Sequence, residues 1–228
     1  MAETILMRAI AHIRSDFPTK FGIPRQSGLV ESLKARVVFA PEYRRPDALR
    51  GLEGFSHLWL IWQFSEAVRD TWSPTVRPPR LGGNTRLGVF ATRSPFRPNP
   101  IGLSCVRLEE VCLTPEPCLI VAGGDLMDGT PILDLKPYLP YADCRPEAIG
   151  GFAASGGGAR LAVDCPPALL ELLPPDKREA LLGILERDPR PSYQKNPERV
   201  YGMDFAGFRV RFTVDGETLT VRQIAPLE

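Results

Sequence analysis

Arginine is concentrated in one segment of the chain, between Arg69 and Arg97, where Asp70 is the only carboxylate. The remaining arginines of the segment are Arg77, Arg80, Arg86 and Arg93. A guanidinium makes bidentate hydrogen bonds to phosphate and stacks on nucleobases, which suits it to RNA better than lysine. The segment therefore predicts a local RNA-contacting surface, which the net charge of +1 conceals. Two other interpretations remain open: a solubilising surface loop, and pairing of these arginines with the eight acidic residues of 100–150.

A second candidate is the segment 123–130, which combines three glycines with two aspartates, Asp125 and Asp128. Glycine lets the backbone approach a ligand closely. The two carboxylates are suited to accept hydrogen bonds from ribose hydroxyls or from an ammonium group. A tight turn between two strands explains the same composition, and composition alone favours that explanation.

Proton-transfer groups also occur close together farther along the chain. The segment 134–141 places aspartate, lysine and tyrosine between prolines, and each of these groups can transfer a proton or contact phosphate. His57 precedes an apolar run, where a structural and a functional histidine are equally well supported. Neither feature identifies a reaction by itself.

Several common sites are excluded by the sequence. The chain has no glycine-rich dinucleotide motif between a strand and a helix, no phosphate-binding P-loop and no serine nucleophile elbow. Its five cysteines are odd in number and lack metal-ligand spacing, and it has only two histidines. We therefore expect free thiols and no metal site.

The elements that must position these residues are mainly strands. The segment between residues 47 and 52 is predicted to form one helical turn after a proline. Two proline-rich loops, 65–86 and 92–102, are long enough to suggest a functional role. Strands are predicted, from β-branched and aromatic content, over residues 4–13, 36–39, 55–64, 87–91, 104–111, 118–122 and 132–135.

The sequence changes character after about residue 150. Helices are predicted over 166–173 and 175–187, the second with Leu181, Leu182 and Leu185 on one face. Residues 208–212 alternate as a strand, Asp215-Gly216 is a hairpin signal, and 219–221 form the returning strand. We therefore predict a β-rich domain over 1–150 and a small α+β domain over 160–228.

The apolar runs of the chain are short. The N-terminal run 5–7 is too short for the core of a signal peptide, and the run 57–64 is far too short to span a membrane. We expect a soluble, cytoplasmic protein.

Longer motifs extend the interpretation to a family. The chain resembles the TsaA/YaeB-like family, also called TrmO, over essentially its whole length, with the motifs in the same order and spacing. The resemblance is carried by Pro-Arg-Gln at 24–26, Gly-Leu-Glu-Gly-Phe-Ser-His-Leu-Trp at 51–59, Val-Arg-Pro-Pro-Arg-Leu-Gly-Gly at 76–83, the Ala-Thr-Arg-Ser-Pro-Phe-Arg-Pro-Asn-Pro region of 88–102, Asp-Leu-Met-Asp-Gly-Thr at 125–130, Asp-Leu-Lys-Pro-Tyr at 134–138 and Asp-Pro-Arg-Pro-Ser-Tyr at 188–193.

The resemblance implies an S-adenosylmethionine-dependent tRNA methyltransferase. It implies methylation of N6 of N6-threonylcarbamoyladenosine, the nucleotide next to the anticodon, in a threonine tRNA. It also implies a mainly β fold, in which a single-sheeted β-barrel forms the N-terminal domain and a small α+β domain follows. A homodimer with no membrane association is implied as well.

Residue roles follow from the same resemblance. The cofactor-binding residues it implies are Arg25, Gln26, Phe64, Ser65, Arg93, Leu103, Leu126, Met127, Asp128 and Gly129. Arg25 is suited to the carboxylate of the cofactor, and the backbone of 126–129 to its adenine and ribose. The implied RNA-contacting residues are Arg77, Arg80, Arg86, Arg97 and Lys136.

Two catalytic candidates could accept the proton of the methylated nitrogen, namely Asp128 and Tyr138. Positioning is expected to dominate the rate enhancement, because methyl displacement from a sulfonium needs little covalent participation by the protein. A non-catalytic RNA-binding β-barrel is the alternative, in which only the arginine-rich surface is functional.

Overall fold

The computed structural model describes residues 3–82, 84–154, 160–191, 194 and 196–227, with the side chain of Arg80 left undescribed. The strands are β1 (Ala11–Arg14), β2 (Lys34–Phe39), β3 (His57–Gln63), β4 (Thr75–Val76), β5 (Leu87–Gly88), β6 (Ile101–Cys112), β7 (Cys118–Ala122), β8 (Pro131–Pro137), β9 (Ala162–Asp164), β10 (Tyr201–Phe205), β11 (Phe208–Asp215) and β12 (Thr218–Pro226). The helices are α1 (Pro46–Leu49), α2 (Pro140–Asp143), α3 (Pro167–Leu170) and α4 (Pro175–Glu186).

A closed antiparallel barrel contains most of the N-terminal strands. Within the described residues its six strands follow the order β1-β2-β7-β6-β3-β8. Alternate side chains of a strand point to opposite faces, and in β3 the buried ones are Leu58, Leu60 and Trp62. The mainly β fold with an N-terminal barrel, predicted from the sequence, is confirmed.

A second, smaller sheet follows in the order β10-β11-β12-β9. Helix α4 packs on it through Ala180, Leu181, Ile184 and Leu185, all buried. Leu182, predicted on the same face, is only partly buried. No helix in the described ranges combines the length and apolarity that a membrane crossing requires.

Several predicted boundaries are wrong. Residues 4–10 are not a strand; the side chains of 5–7 are exposed, and pairing begins only at Ala11. The strand predicted over 87–91 ends at Gly88 and continues as a 3-10 turn. The helix predicted over 166–173 covers only Pro167–Leu170. For the two strands, β-branched or apolar composition was present without strand pairing beyond the observed bounds.

The hairpin predicted at Asp215-Gly216 is present but shifted by one residue. Asp215 pairs with Thr218, so the two-residue loop is Gly216-Glu217. Gly216 has a φ of 55°, which places glycine at the first central position of the loop.

The loop between β1 and β2 connects the two parts of the molecule. Its residues Phe17, Val30 and Leu33 belong to the hydrophobic core of the C-terminal sheet rather than to the barrel core. Gly183 of α4 lies against Val30, because an added Cβ would come within 2.8 Å of its Cγ1. The loop therefore starts and ends in the barrel but is packed from outside by the C-terminal part.

Candidate cofactor and RNA site

A hydrogen-bond chain runs outward from the barrel interior. The Nε1 of Trp62 donates to the Oγ of Ser104 at 2.9 Å, and that hydroxyl donates to Oδ1 of Asp125 at 2.6 Å. Close packing fixes the indole, since a Cβ at Gly102 would lie 2.3 Å from its ring. Ser104 is fully buried. The chain therefore holds the Asp125 carboxylate in one orientation.

Asp125 is a mostly buried carboxylate with cationic and polar neighbours. Burial raises its pKa above the ordinary value for aspartate, because a low-dielectric environment disfavours the charged form. The Ser104 hydroxyl, backbone hydrogen bonds of Asp125 and Ser27, and the charge of Arg93 oppose this shift. These partners favour the carboxylate form, which is the form suited to accept hydrogen bonds from a ligand.

Arg93 links this carboxylate to the Pro-Arg-Gln loop. Its guanidinium donates to Oε1 of Gln26, and the amide of Gln26 donates to the carbonyl of Arg25. The neighbouring Ser27 accepts from the backbone N–H of Cys105 at 3.1 Å. Gln26 and Arg93, far apart in sequence, are therefore brought together as the sequence analysis predicts for a shared site.

Phe64 and Ser65 follow β3 in the chain, and Leu103 precedes Ser104 on β6. The ring of Phe64 is 4.2 Å from that of Trp62, centroid to centroid, and its N–H donates to the carbonyl of Pro100 at 2.8 Å. Ser65 is exposed, and Leu103 projects from the outer face of β6 with 52% of its surface exposed. These residues form an open surface rather than an enclosed cavity.

The loop 126–129 is fastened to β1 and the residues that follow it. The N–H of Asp128 donates to the carbonyl of Phe17 at 2.8 Å, and that of Gly129 to the carbonyl of Ile13 at 2.9 Å. The Oγ of Ser15 donates to the carbonyl of Leu126 at 2.9 Å, and the carbonyl of Met127 accepts from Thr130.

Most of the polar backbone of this loop is therefore engaged within the protein. Leu126 is buried in the barrel core, and Gly129 has a φ of 77°, which glycine adopts without strain. The tight-turn interpretation of the segment thus explains much of its composition. Of its two carboxylates, Asp125 is the one that contacts the Arg93 side of the site.

The two catalytic candidates lie at opposite ends of β8. Asp128 accepts from the N–H of Ser15 at 3.1 Å and pairs with Arg14 at 3.4 Å. Tyr138 packs against His57 and Trp59 beyond the other end of the strand. Seven residues of extended chain span roughly 23 Å, so the two groups do not act on one atom.

The pKa of Tyr138 is raised above that of an ordinary tyrosine, first by desolvation and then by the nearby Cys144, Cys105 and Asp143. At neutral pH its hydroxyl is therefore a neutral phenol, which donates a hydrogen bond but does not readily accept a proton. This weakens Tyr138 as a general base relative to Asp128.

The described arginine side chains of 69–97 form no close ion pair with a carboxylate. No described carboxylate lies within 4 Å of their guanidiniums, whereas Glu109, Glu116 and Asp128 pair with cations elsewhere. Arg86 donates to Oγ1 of Thr75 at 3.2 Å, and Arg97 to the carbonyl of Thr92 at 3.2 Å. Among the described arginines of the segment, Arg93 acts on an acid of 100–150, Asp125, through its charge rather than through a close ion pair.

The remaining RNA candidates differ in their exposure and in their ion pairing. Arg77 is exposed, whereas Lys136 pairs with Asp134 at 3.3 Å on the same strand. The side chain of Arg80 lies outside what the structure describes. The arginine-rich segment 69–97, called the arginine loop below, also presents exposed aromatic rings. The guanidinium of Arg69 lies 3.9 Å above the ring of Phe96. Arginine beside exposed aromatic rings is an arrangement suited to unstacked RNA bases.

Three residues of the candidate site were not singled out in the sequence: Ser27, Trp62 and Ser104. Asp125 was considered there as a ligand-binding carboxylate, although it was not among the cofactor residues that the resemblance implied. A signal for Ser104 existed, because it is a polar residue between two inward-facing residues of β6 that are not polar, Gly102 and Val106. Such a residue needs a buried partner. The identity of that partner depends on which loop closes the barrel, and local sequence does not specify this.

Two cavities of the described residues bear on the location of the site. One of about 10 Å³ lies between β1, β2 and Leu126, with room for about one water molecule. A larger cleft of about 460 Å³ lies on the C-terminal sheet and is lined by Tyr201, Asp204 and Arg211, among others. Among the predicted cofactor residues, Leu126 alone lines one of these two cavities.

Comparison with known proteins gives consistent matches over both parts of the chain. A family model described as the tRNA-methyltransferase O N-terminal domain matches residues 12–144, and one described as the TrmO C-terminal domain matches residues 166–227. The chain is 44% identical over 226 residues to an Escherichia coli protein named tRNA (adenine(37)-N6)-methyltransferase, covering 95% of this chain and 96% of that one.

A second relative and a solved structure agree with this. A Pseudomonas aeruginosa protein named putative S-adenosylmethionine-dependent methyltransferase RcsF is 42% identical over 211 residues, covering 85% of this chain and 86% of the relative. A crystal structure of TrmO from Pseudomonas aeruginosa superposes with a TM-score of 0.81 at 33% identity, over 100% of this chain and 99% of the other.

Proposed function

Because this chain belongs to the TrmO family of tRNA methyltransferases, we propose that it methylates N6 of N6-threonylcarbamoyladenosine at position 37 of a threonine tRNA. The chain is an S-adenosylmethionine-dependent tRNA (adenine-N6)-methyltransferase. The alternative of a non-catalytic RNA-binding barrel is therefore set aside. The finer substrate, and the cytoplasmic location that a tRNA substrate implies, are our proposal.

The observation that supports a cofactor site is the convergence of separate motifs, in which Arg93 hydrogen-bonds to Gln26 and its charge acts on Asp125. Gln26, Arg93 and Asp125 come from three distant segments, and each contacts or faces the next. The residues present fit S-adenosylmethionine. Exposed guanidiniums suit its carboxylate, and Asp125 suits its ribose hydroxyls or its ammonium group.

We assign the cofactor to Arg25, Gln26, Phe64, Ser65, Arg93 and Leu103, with Asp125 added and the 126–129 loop as its floor. When bound, S-adenosylmethionine supplies an electrophilic methyl group on a sulfonium. The protein's task is to hold the acceptor nitrogen in line with that group, which is a matter of positioning.

Asp128 is the proton acceptor that we favour. The proton on N6 of a ureido-substituted adenine is more acidic than that of an adenine amine, so a weak base suffices. The Asp128 side chain is 37% exposed, and its partner Arg14 is 63% exposed, so their ion pair is weak and the carboxylate can be reached. Tyr138 is left as a hydrogen-bond donor.

We also propose that a homodimer completes the site. One group of exposed apolar side chains lies on the outer face of β6, on the two proline-rich loops and on the 3-10 turn between those loops. Exposed apolar patches of this kind mark interaction surfaces. The group consists of Val68, Trp72, Phe90, Phe96, Ile101 and Leu103. An open cofactor surface next to this apolar surface is what a second copy of the chain would close.

The arginine loop is proposed to hold the tRNA backbone. In an Arg77→Ala, Arg86→Ala double variant, we expect all tRNAs to bind more weakly by a similar factor, because phosphate contacts carry little sequence information. The slope of log affinity against log salt should flatten by roughly one to two units, since each lost phosphate contact releases about 0.7–0.9 fewer counterions. Filter binding over a salt series measures the slope.

The same variant tests whether the tRNA-contacting residues and the cofactor-binding residues are separate sets. Its affinity for S-adenosylmethionine, measured by calorimetry, should equal that of the wild type. Arg160→Ala serves as the control, because Arg160 pairs with Glu186 at 3.6 Å in the C-terminal part. An unchanged salt slope, accompanied by a lower melting temperature, would mean that the loop arginines are structural.

A further inference from the structure

The Asp-Pro-Arg-Pro-Ser-Tyr motif at 188–193 has no part in the assignments above, although it lies next to the site. Ser192 and Tyr193 are outside the described residues. Asp188 follows α4, and its N–H donates to the carbonyl of Leu185 at 3.2 Å. Its φ of 49° is a left-handed conformation. After the C-terminal end of a helix, glycine is the residue that most often adopts this conformation. Aspartate occupies this position in place of glycine, and its carboxylate has a specific partner.

The Asp188 carboxylate accepts three hydrogen bonds from Arg190. Its Oδ1 accepts from Nε of Arg190 at 2.8 Å and from the backbone N–H of Arg190 at 3.2 Å, and its Oδ2 accepts from Nη2 at 2.9 Å. Only 11% of the Arg190 side chain is exposed. The pKa of the Arg190 guanidinium is raised, chiefly by this hydrogen bond. The backbone at Arg190 is therefore fixed by a shielded, bidentate ion pair.

That fixed backbone contacts the cofactor loop. The carbonyl of Arg190 accepts from Nη2 of Arg25 at 3.1 Å. Arg25 is itself exposed, and a free arginine side chain samples many rotamers. A fixed acceptor on one nitrogen restricts the guanidinium while leaving its other N–H groups for a ligand.

The loop that carries Arg25 is held by the C-terminal part at other points as well. The carbonyl of Asp16 accepts from the N–H of Ala206 at 2.9 Å, and its carboxylate pairs with Lys177 at 2.7 Å. At Gly22, a Cβ would lie 3.1 Å from the Met203 sulfur. The C-terminal part thus holds the body of the loop, and the Asp188–Arg190 pair holds its functional side chain.

We infer that Asp188 and Arg190 are positioning residues, which orient Arg25 toward the carboxylate of S-adenosylmethionine and so make cofactor binding depend on the C-terminal domain. The inference rests on the proposed function, because it takes S-adenosylmethionine as the ligand of Arg25. Neither residue touches the reacting atoms.

Asp188→Gly tests the inference. Glycine suits the left-handed position, so the melting temperature should stay close to that of the wild type, while the carboxylate is lost. We expect the KM for S-adenosylmethionine to rise about tenfold, the effect of losing one oriented hydrogen bond to a charged group. The kcat at saturating cofactor should be nearly unchanged. Asp188→Asn, which keeps the side-chain volume, is measured in parallel and should give a smaller rise.

Two controls separate positioning from general damage. Asp204→Asn breaks an equivalent fork, in which Asp204 accepts from Arg209 at 2.6 and 2.9 Å on the same sheet, and it should leave the KM unchanged. In an Arg25→Ala background, Asp188→Gly should have no further effect on KM. A wild-type KM in Asp188→Gly, or an undiminished rise in the Arg25→Ala background, would overturn the inference. A wild-type protein that binds no S-adenosylmethionine would instead overturn the proposed function.

Discussion

Arg93→Ala is expected to lower the affinity for S-adenosylmethionine about 100-fold. Arg93 is the point at which the Gln26 loop and Asp125 meet, so its removal takes away the contact to Gln26 and the charge that faces a mostly buried carboxylate. Each hydrogen bond to a charged group contributes about 1.5–3 kcal/mol, and every 1.4 kcal/mol is tenfold in affinity. Isothermal titration with the cofactor measures the loss. The melting temperature should change little, because the side chain is exposed.

Arg86→Ala is the matched control for this experiment. It removes the same charge from the same loop, but Arg86 contacts Thr75 instead of the Gln26 loop. We expect its cofactor affinity to be that of the wild type and its tRNA affinity to fall. Equal cofactor affinity in Arg93→Ala and Arg86→Ala would show that the Arg93 cluster is not the cofactor site.

Leu103→Asp is expected to give a monomer with methyl-transfer activity reduced about 100-fold, the order of loss that follows from misplacing a reacting group. Leu103 lies on the outer face of β6 beside the candidate site, and a carboxylate there would have to be buried unpaired in an interface. Light scattering gives the oligomeric state, and a methylation assay under the same conditions gives the activity.

Leu113→Asp controls for the loss of an exposed leucine. Leu113 is 48% exposed, against 52% for Leu103, and it lies in the turn after β6 rather than on the face next to the site. It should leave both the dimer and the activity intact. A fully active Leu103→Asp monomer would rule out a site that is completed by a second copy.

Several barrel strands were predictable because the composition of each segment indicates a strand. β3 is rich in aromatic and aliphatic residues, and a short turn separates β6 from β7, so all three strands follow from local composition. Residues 4–10 carry a similar composition yet remain outside the sheet. The difference lies in strand pairing, since β1 begins only at Ala11, which pairs with Phe39 of β2 and with Ile132 of β8. Such pairing is non-local, and local composition does not contain it.

The motifs of the candidate site are visible in the sequence, but the contacts between them are not. The resemblance identified Gln26 and Arg93, and the structure places them in contact. It did not identify Ser104 or Asp125 as their support, because a buried hydrogen-bond chain depends on the closure of the barrel. It also did not indicate that the loop 15–33 packs into the C-terminal core through Phe17 and Val30. Our division at 1–150 and 160–228 remains a proposal, with this loop shared between the two parts.

The central claim is tested most directly by the site of methyl transfer. Purified protein is incubated with labelled S-adenosylmethionine and threonine tRNA that carries, or lacks, the threonylcarbamoyl group on adenine 37. The nucleosides are then analysed by mass spectrometry. The account predicts one added methyl group on N6-threonylcarbamoyladenosine in the first tRNA and none in the second. Methylation of the tRNA that lacks the group, methylation at another nucleotide, or no transfer to either tRNA would contradict it.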